Sequence, residues 1–117
     1  MQTLLAQQPI AVVLPLDHLN AAIAGQVQRQ IREAICAPTV AAVAVDLTEV
    51  KFLDSAGLMV LVSGLKQAKS LNKRFSICSV TPGVRMILEL SQLDRVFEIF
   101  ENVESFETEN VTVKRYW

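Results

Sequence analysis

The 117-residue sequence predicts an α/β fold: a single domain with a mostly parallel central sheet, an N-terminal β-hairpin at its edge and helices packed on it. Three observations carry that expectation. Strand-like apolar runs alternate with stretches of helical periodicity, in the order ββαβαβαβ and then a short helix. The run at residues 42–47 shows no polar alternation until Asp46, which suits a central strand covered on both faces. The chain is long enough to bury a real core and carries no linker, repeat or low-complexity stretch, so residues 1–117 read as one domain.

Taken in order, residues 3–6 and 10–14 read as two strands around Gln7-Gln8-Pro9, a hairpin in which Pro9 opens the second strand, where a missing N–H costs little. Residues 15–20 form a loop ending in Asn20, a good N-cap. The helix that follows runs to about Ile35. Ile23, Val27, Ile31, Ala34 and Ile35 share its apolar face, Gln26, Arg29, Arg32 and Glu33 lie away from it, and Ala37-Pro38 ends it. After the strand at 42–47, a second helix spans roughly 55–71 with Leu58, Leu61, Val62, Leu65 and Ala68 as its core stripe. A short strand covers 75–78. Thr81-Pro82 reads as an N-cap followed by proline at the first helical position, and that third helix runs to about Gln92 with Val84, Ile87 and Leu88 inward. Residues 96–100 make a last short strand and 102–107 a short helix. The tail at 110–117 fits either an edge strand or a loose end.

Composition excludes several classes of function. Half the residues are apolar (51%), so the chain is not disordered, and a net charge of −1 without a basic run gives no footprint for nucleic acid or anionic lipid. No apolar run approaches the roughly 18 residues of a membrane span, so no direct membrane insertion is expected. The start, Met1-Gln-Thr-Leu-Leu, lacks the basic and long apolar regions of a signal peptide, and the cytoplasm is the expected location. Cys36 and Cys78 are expected to be reduced core thiols. His18 is the one histidine, in a loop where solvation or loop packing is its expected role; no Gly-x-Ser-x-Gly elbow accompanies it. The four glycines form no phosphate-binding pattern, and Cys36, Cys78 and His18 have no metal-ligand spacing. A catalytic function, a cofactor and a metal are therefore not expected. A response-regulator receiver has similar length and alternation, but it would need paired acids after its first strand, and Asp17 and Asp46 are only loose candidates.

The informative segment is the turn that joins the central strand to the second helix, Asp54-Ser55-Ala56-Gly57. Asp and Ser are both preferred N-cap residues, so capping alone accounts for an arbitrary Asp-Ser before a helix. The same position offers a small hydroxyl at a helix start, where unpaired N–H groups and the positive dipole end can accommodate an anion. Ala56, Met59, Val60, Ser63, Gly64 and Gln67 lie outside or beside the helix's core stripe, and several are apolar or small where solubility alone would place charge. Gly64 reads either as a packing residue against the sheet or as part of a surface for close approach by a partner.

The string Val43-Ala-Val-Asp-Leu-Thr-Glu-Val-Lys-Phe-Leu-Asp-Ser-Ala-Gly-Leu-Met-Val-Leu61 resembles the strand, turn and helix start of the STAS family, the sulfate-transporter and anti-sigma-factor-antagonist domain. Leu16-Asp17 is similar to the family's Leu-Asp before the first helix. Val80-Thr-Pro-Gly-Val-Arg-Met-Ile-Leu-Glu-Leu-Ser-Gln-Leu93 resembles its penultimate helix. The resemblance covers nearly the whole chain and looks like a stand-alone bacterial anti-sigma factor antagonist. It implies binding to an anti-sigma factor that is a serine/threonine kinase, loss of binding on phosphorylation of a hydroxyl in the turn, and reversal by a metal-dependent PP2C-type phosphatase. It implies a partner surface of Asp17, Asn20, Asp54, Ser55, Ala56, Gly57, Met59, Val60 and Ser63. Two departures stand out. Ala56 occupies the usual acceptor position, which leaves Ser55 either to take over as acceptor or to sit in a protein that binds without being switched. Pro15 replaces the glycine common in the first loop and stiffens it. Ala56 also keeps open a second reading, an unphosphorylated accessory subunit of a lipid-transport ABC complex. A third is a scaffold using Tyr116-Trp117 for an intermolecular contact.

Overall fold

Among the described residues, a sheet of four parallel strands, with spatial order equal to chain order, organises the fold. The structure is a computed structural model that describes residues 9–16 and 18–112, the last three through their backbone only. Its elements are β1 (Ile10–Val13), α1 (Ala21–Cys36), β2 (Ala42–Asp46), α2 (Ser55–Ser70), β3 (Arg74–Cys78), α3 (Pro82–Leu90), a 3-10 turn (Leu93–Arg95), β4 (Glu98–Phe100) and α4 (Val103–Thr112). The α/β class is as expected. The strand and hairpin turn expected within residues 3–9 fall, but for Pro9, outside the described residues, as does the tail from 113 onward. Pro9 itself contributes a carbonyl that accepts from Ala41 N–H.

Period-two alternation in β2 builds both layers. Val43 and Val45 point into one core with Val27, Ile31 and Ile35 of α1, Val60, Leu61 and Leu65 of α2, and Val84 and Leu88 of α3. Sequential parallel strands joined by right-handed crossovers collect successive helices on one face, which is why these three helices share that core. Ala42 and Ala44 face the other way, and their small side chains leave room for Phe106 of α4, which is fully buried with Cys78.

That second face was only partly legible. The helix expected at 102–107 starts one residue later and continues to Thr112, with Asn102 Oδ1 accepting from Ser105 N–H at 2.7 Å. Arg74 holds it down. Its guanidinium bonds Glu98 of β4 at 2.5 and 3.1 Å, pairs with Glu109 of α4, and lies over the rings of Phe100 and Phe106. On the other face, Lys73 Nζ donates to the carbonyls of Ile35 (2.6 Å) and Ala37 (2.9 Å), a cation at the C-terminal end of α1.

Three expectations need correction. Cys36 is exposed, because α1 ends at that residue; only Cys78 is a core thiol, and burial pushes its pKa up. The α2 core stripe is rotated: Gly57, Val60 and Gly64 are buried beside Leu61, Leu65 and Ala68, while Leu58 and Val62 are only half-buried. The helix touches α1 as well as the sheet, so its buried arc is set by two neighbours rather than one. Helix α3 stops at Leu90, short of Gln92, which takes a left-handed φ of 62° and turns the chain into the 3-10 segment.

Gly64 belongs to packing and not to an open surface. A methyl group there would stand 2.9 Å from both Ile31 Cγ2 and Phe75 Cε1. Gly64→Ala should therefore lower stability by about 1–3 kcal/mol through overpacking, against the roughly 1 kcal/mol gain that helix propensity alone would give. Urea unfolding checks the sign; a stabilised variant would mean that α1 and β3 yield freely around the helix.

Candidate functional site

The site is built at the C-terminal end of the parallel strands, where α1, α2 and α3 begin. The connection from β2 to α2 is immobilised at every step. Asp46 Oδ1 accepts from Thr48 N–H (3.0 Å) and from Thr48 Oγ1 (2.6 Å), an Asx turn that closes the strand. Leu47 N–H donates to Cys78 O at 2.9 Å, and Thr81 Oγ1 donates to Val50 O at 2.7 Å. Thr81 thus spends its hydroxyl on the neighbouring loop rather than on capping α3. Gly83 lets the start of α3 lie directly on the Lys51 carbonyl, which a methyl group would strike. Leu19 and Leu53 form an isolated parallel bridge, with Leu19 N–H donating to Phe52 O (3.1 Å) and Asp54 N–H to Leu19 O (3.3 Å).

Asp54 ends this connection and serves two helices. Its Oδ1 accepts from Gly57 N–H at 2.9 Å, capping α2, and its Oδ2 accepts from Ala21 N–H at 3.2 Å, the first residue of α1. Asn20 completes the α1 cap by accepting from Ala22 N–H at 3.0 Å. Hydrogen bonding to Gly57 N–H, and then to Ala21 N–H, lowers the Asp54 pKa below its ordinary value, because both bonds favour the charged form. Gly57 is required beneath it, since a side chain there would collide with the Leu19 carbonyl.

Ser55 is the first residue of α2 and is exposed. Its hydroxyl makes no hydrogen bond to another described residue. The capping role therefore falls to Asp54, and among the described residues the serine hydroxyl has no partner at a positive helix end. Around it, Met59 is 58% exposed and Ala56 half-buried.

The chain matches the STAS domain over residues 4–106. It belongs to the STAS family. An anti-sigma F factor antagonist from Paenibacillus polymyxa is 29% identical over 87 residues, 74% of this chain and 72% of that one. The crystal structure of an anti-sigma factor antagonist from Mycobacterium paratuberculosis superposes with a TM-score of 0.78 at 21% identity, over 90% of this chain and 88% of that chain. The phosphorylated form of the Bacillus cell fate determinant SpoIIAA superposes with a TM-score of 0.66 at 16% identity, over 88% and 93%.

Within this STAS domain the expected partner-facing residues separate by burial. Ser55 and Met59 are exposed, and Asn20, Asp54, Ala56 and Ser63 are half-buried. Ser63 Oγ accepts from Gln28 Nε2 of α1 at 3.4 Å. Gly57 and Val60 are buried, and the Val60 side chain, 5% exposed, packs into the core. Asp17 lies outside the described residues.

The sequence reading missed Phe52 and Leu16, which are 50% and 63% exposed. Phe52 meets the His18 ring edge-on, with centroids 6.3 Å apart. The signal was available: in a turn where Leu53 points in, its neighbour Phe52 points out. Among the described residues no helix is long and apolar enough to cross a membrane, and no group of three His, Cys, Asp or Glu side chains could hold a metal.

Because the cap is Asp54 and Ser55 is solvated, Ser55→Asp should leave the melting temperature nearly unchanged; a large fall would mean that the hydroxyl supports the fold after all. Asp54 should show the opposite behaviour with pH. Its depressed pKa contributes stability above the ordinary carboxylate value of 3.8, and that contribution is lost as pH falls through the lower folded value. The stability gap between the parent and Asp54→Asn should thus be widest near neutral pH and close in acid, as urea titrations at a series of pH values would read.

Proposed function

We propose that this STAS protein is an anti-sigma factor antagonist whose partner is an anti-sigma factor with serine/threonine kinase activity, and that Ser55 is the residue the kinase phosphorylates. The observation that carries this reading is the division of labour in the turn: Asp54 caps two helices, and the neighbouring Ser55 hydroxyl is exposed and without a partner among the described residues. The Paenibacillus polymyxa relative, an anti-sigma F factor antagonist, supports the role, and the phosphorylated form of SpoIIAA supports a phosphate on this fold.

The mechanism follows from charge. A phosphate adds about −1.5 to −2 charges at neutral pH. At the first residue of α2 the helix dipole tolerates it, so the fold is kept. Against a partner, the same group brings desolvation cost and, beside Asp54, repulsion of any acidic facing group. Exposed Met59, four residues after Ser55, and Phe52, three residues before it, supply apolar contact around the switch. Asn20 adds a polar contact beside the turn, Asp17 is a further partner residue on this reading, and a PP2C-type phosphatase restores binding. Ala56, in place of a second hydroxyl, favours one competing reading: an unphosphorylated accessory subunit of a lipid-transport ABC complex.

Incubation with the cognate kinase and ATP, followed by peptide mass spectrometry, separates the two. A single phosphate on the peptide carrying Ser55, absent from Ser55→Ala, is expected. Phosphate at another residue, or none, would overturn the assignment, and co-purification with a transporter ATPase would favour the alternative.

A further inference from the structure

Asp54 was expected on the partner surface, and both oxygens of its half-buried carboxylate accept bonds from the chain's own backbone. Oδ1 accepts from Gly57 N–H at 2.9 Å and Oδ2 from Ala21 N–H at 3.2 Å. The two donors belong to different helices, 36 positions apart in sequence, and each is among the N–H groups that a helix start leaves without an intrahelical partner. The surrounding contacts repeat the connection. Leu19 O accepts from Asp54 N–H, the Leu19–Leu53 bridge runs alongside, and the absent side chain of Gly57 lets α2 rest on the Leu19 carbonyl. Every one of these ties the loop entering α1 to the turn that carries Ser55.

We infer that Asp54 is a positioning residue: it clamps the first turn of α1 to the first turn of α2 and thereby fixes where the Ser55 hydroxyl is presented, without itself touching the partner. Its placement next to Ser55 in sequence then has a mechanical reason. A carboxylate whose two oxygens are both engaged by backbone N–H groups holds the backbone it caps, so the Cα–Cβ bond of Ser55 leaves from a fixed point. The cap of α2 alone would need only one acceptor atom, which serine or asparagine provides; the second oxygen is what reaches α1.

The inference rests on Ser55 as phosphoacceptor for its functional consequence, and on the hydrogen bonds alone for its structural one, so the test has two arms. Asp54→Ser keeps one oxygen within reach of Gly57 N–H and removes the reach to Ala21. Amide hydrogen exchange by NMR should then show Ala21 exchanging about tenfold faster while Gly57 stays protected, with Asp54→Ala losing protection at both. Unchanged protection of Ala21 in Asp54→Ser overturns the clamp. In the second arm, initial rates of Ser55 phosphorylation are measured against protein concentration in an extract of the native cells with ATP. A positioning role predicts a maximal rate about tenfold lower in Asp54→Ser at an unchanged half-saturating concentration. A raised half-saturating concentration with full maximal rate would make Asp54 a partner contact and overturn the inference, as would unchanged kinetics. If the parent protein gains no phosphate on Ser55, the phosphoacceptor reading fails and the positioning role falls with it, whereas the clamp is judged by the exchange arm alone.

Discussion

The carboxylate of Asp54, shared between the starts of α1 and α2, is the interaction on which the candidate site depends. The rest of the connection from β2 brings it there. The Asx turn at Asp46, the bond from Leu47 to Cys78, the Thr81 hydroxyl on Val50 and the close approach of Gly83 to Lys51 each fix one stretch of a loop that would otherwise be free. Three helices begin around that loop because parallel strands joined by helices return every helix start to the same end of the sheet. The positive ends of three helix dipoles therefore gather near one exposed serine.

Such an arrangement suits a switch that changes binding without changing the fold. The residue that holds the helices and the residue that can carry a charge are neighbours but are different residues. On the proposed reading, a charge on Ser55 leaves the Asp54 bonds in place and acts at the surface, where Met59 and Phe52 are exposed. Away from that surface, Lys73 bonds the far end of α1, and Arg74 joins β4 and α4 through Glu98 and Glu109.

Local rules sufficed for much of this. The apolar run at 42–47 announced a central strand, Asn20 announced the start of α1, and the Asp-Ser-Ala-Gly turn announced the start of α2, because each depends on residues close in sequence. What the sequence could not disclose depends on contacts across the fold. Val60 and Gly64 looked like surface beside the α2 stripe, but both are buried, Gly64 against Ile31 of α1 and Phe75 of β3. Cys36 looked like core and is the exposed last residue of its helix. Thr81 has the residue type of an N-cap and instead bonds Val50, 31 positions away. That Asp54 and not Ser55 caps α2 could be suspected from either residue; that it also reaches Ala21 could not, since nothing in the pattern relates positions 21 and 54.

The central claim is that charge on Ser55 governs partner binding while the fold stands unchanged. Isothermal titration of the purified anti-sigma factor with the protein before and after enzymatic phosphorylation of Ser55 tests it most directly. The account predicts affinity lower by about tenfold or more for the phosphorylated protein, restored by phosphatase treatment, at an unaltered melting temperature. Equal affinity of the two forms, or a loss of binding accompanied by unfolding, would contradict it.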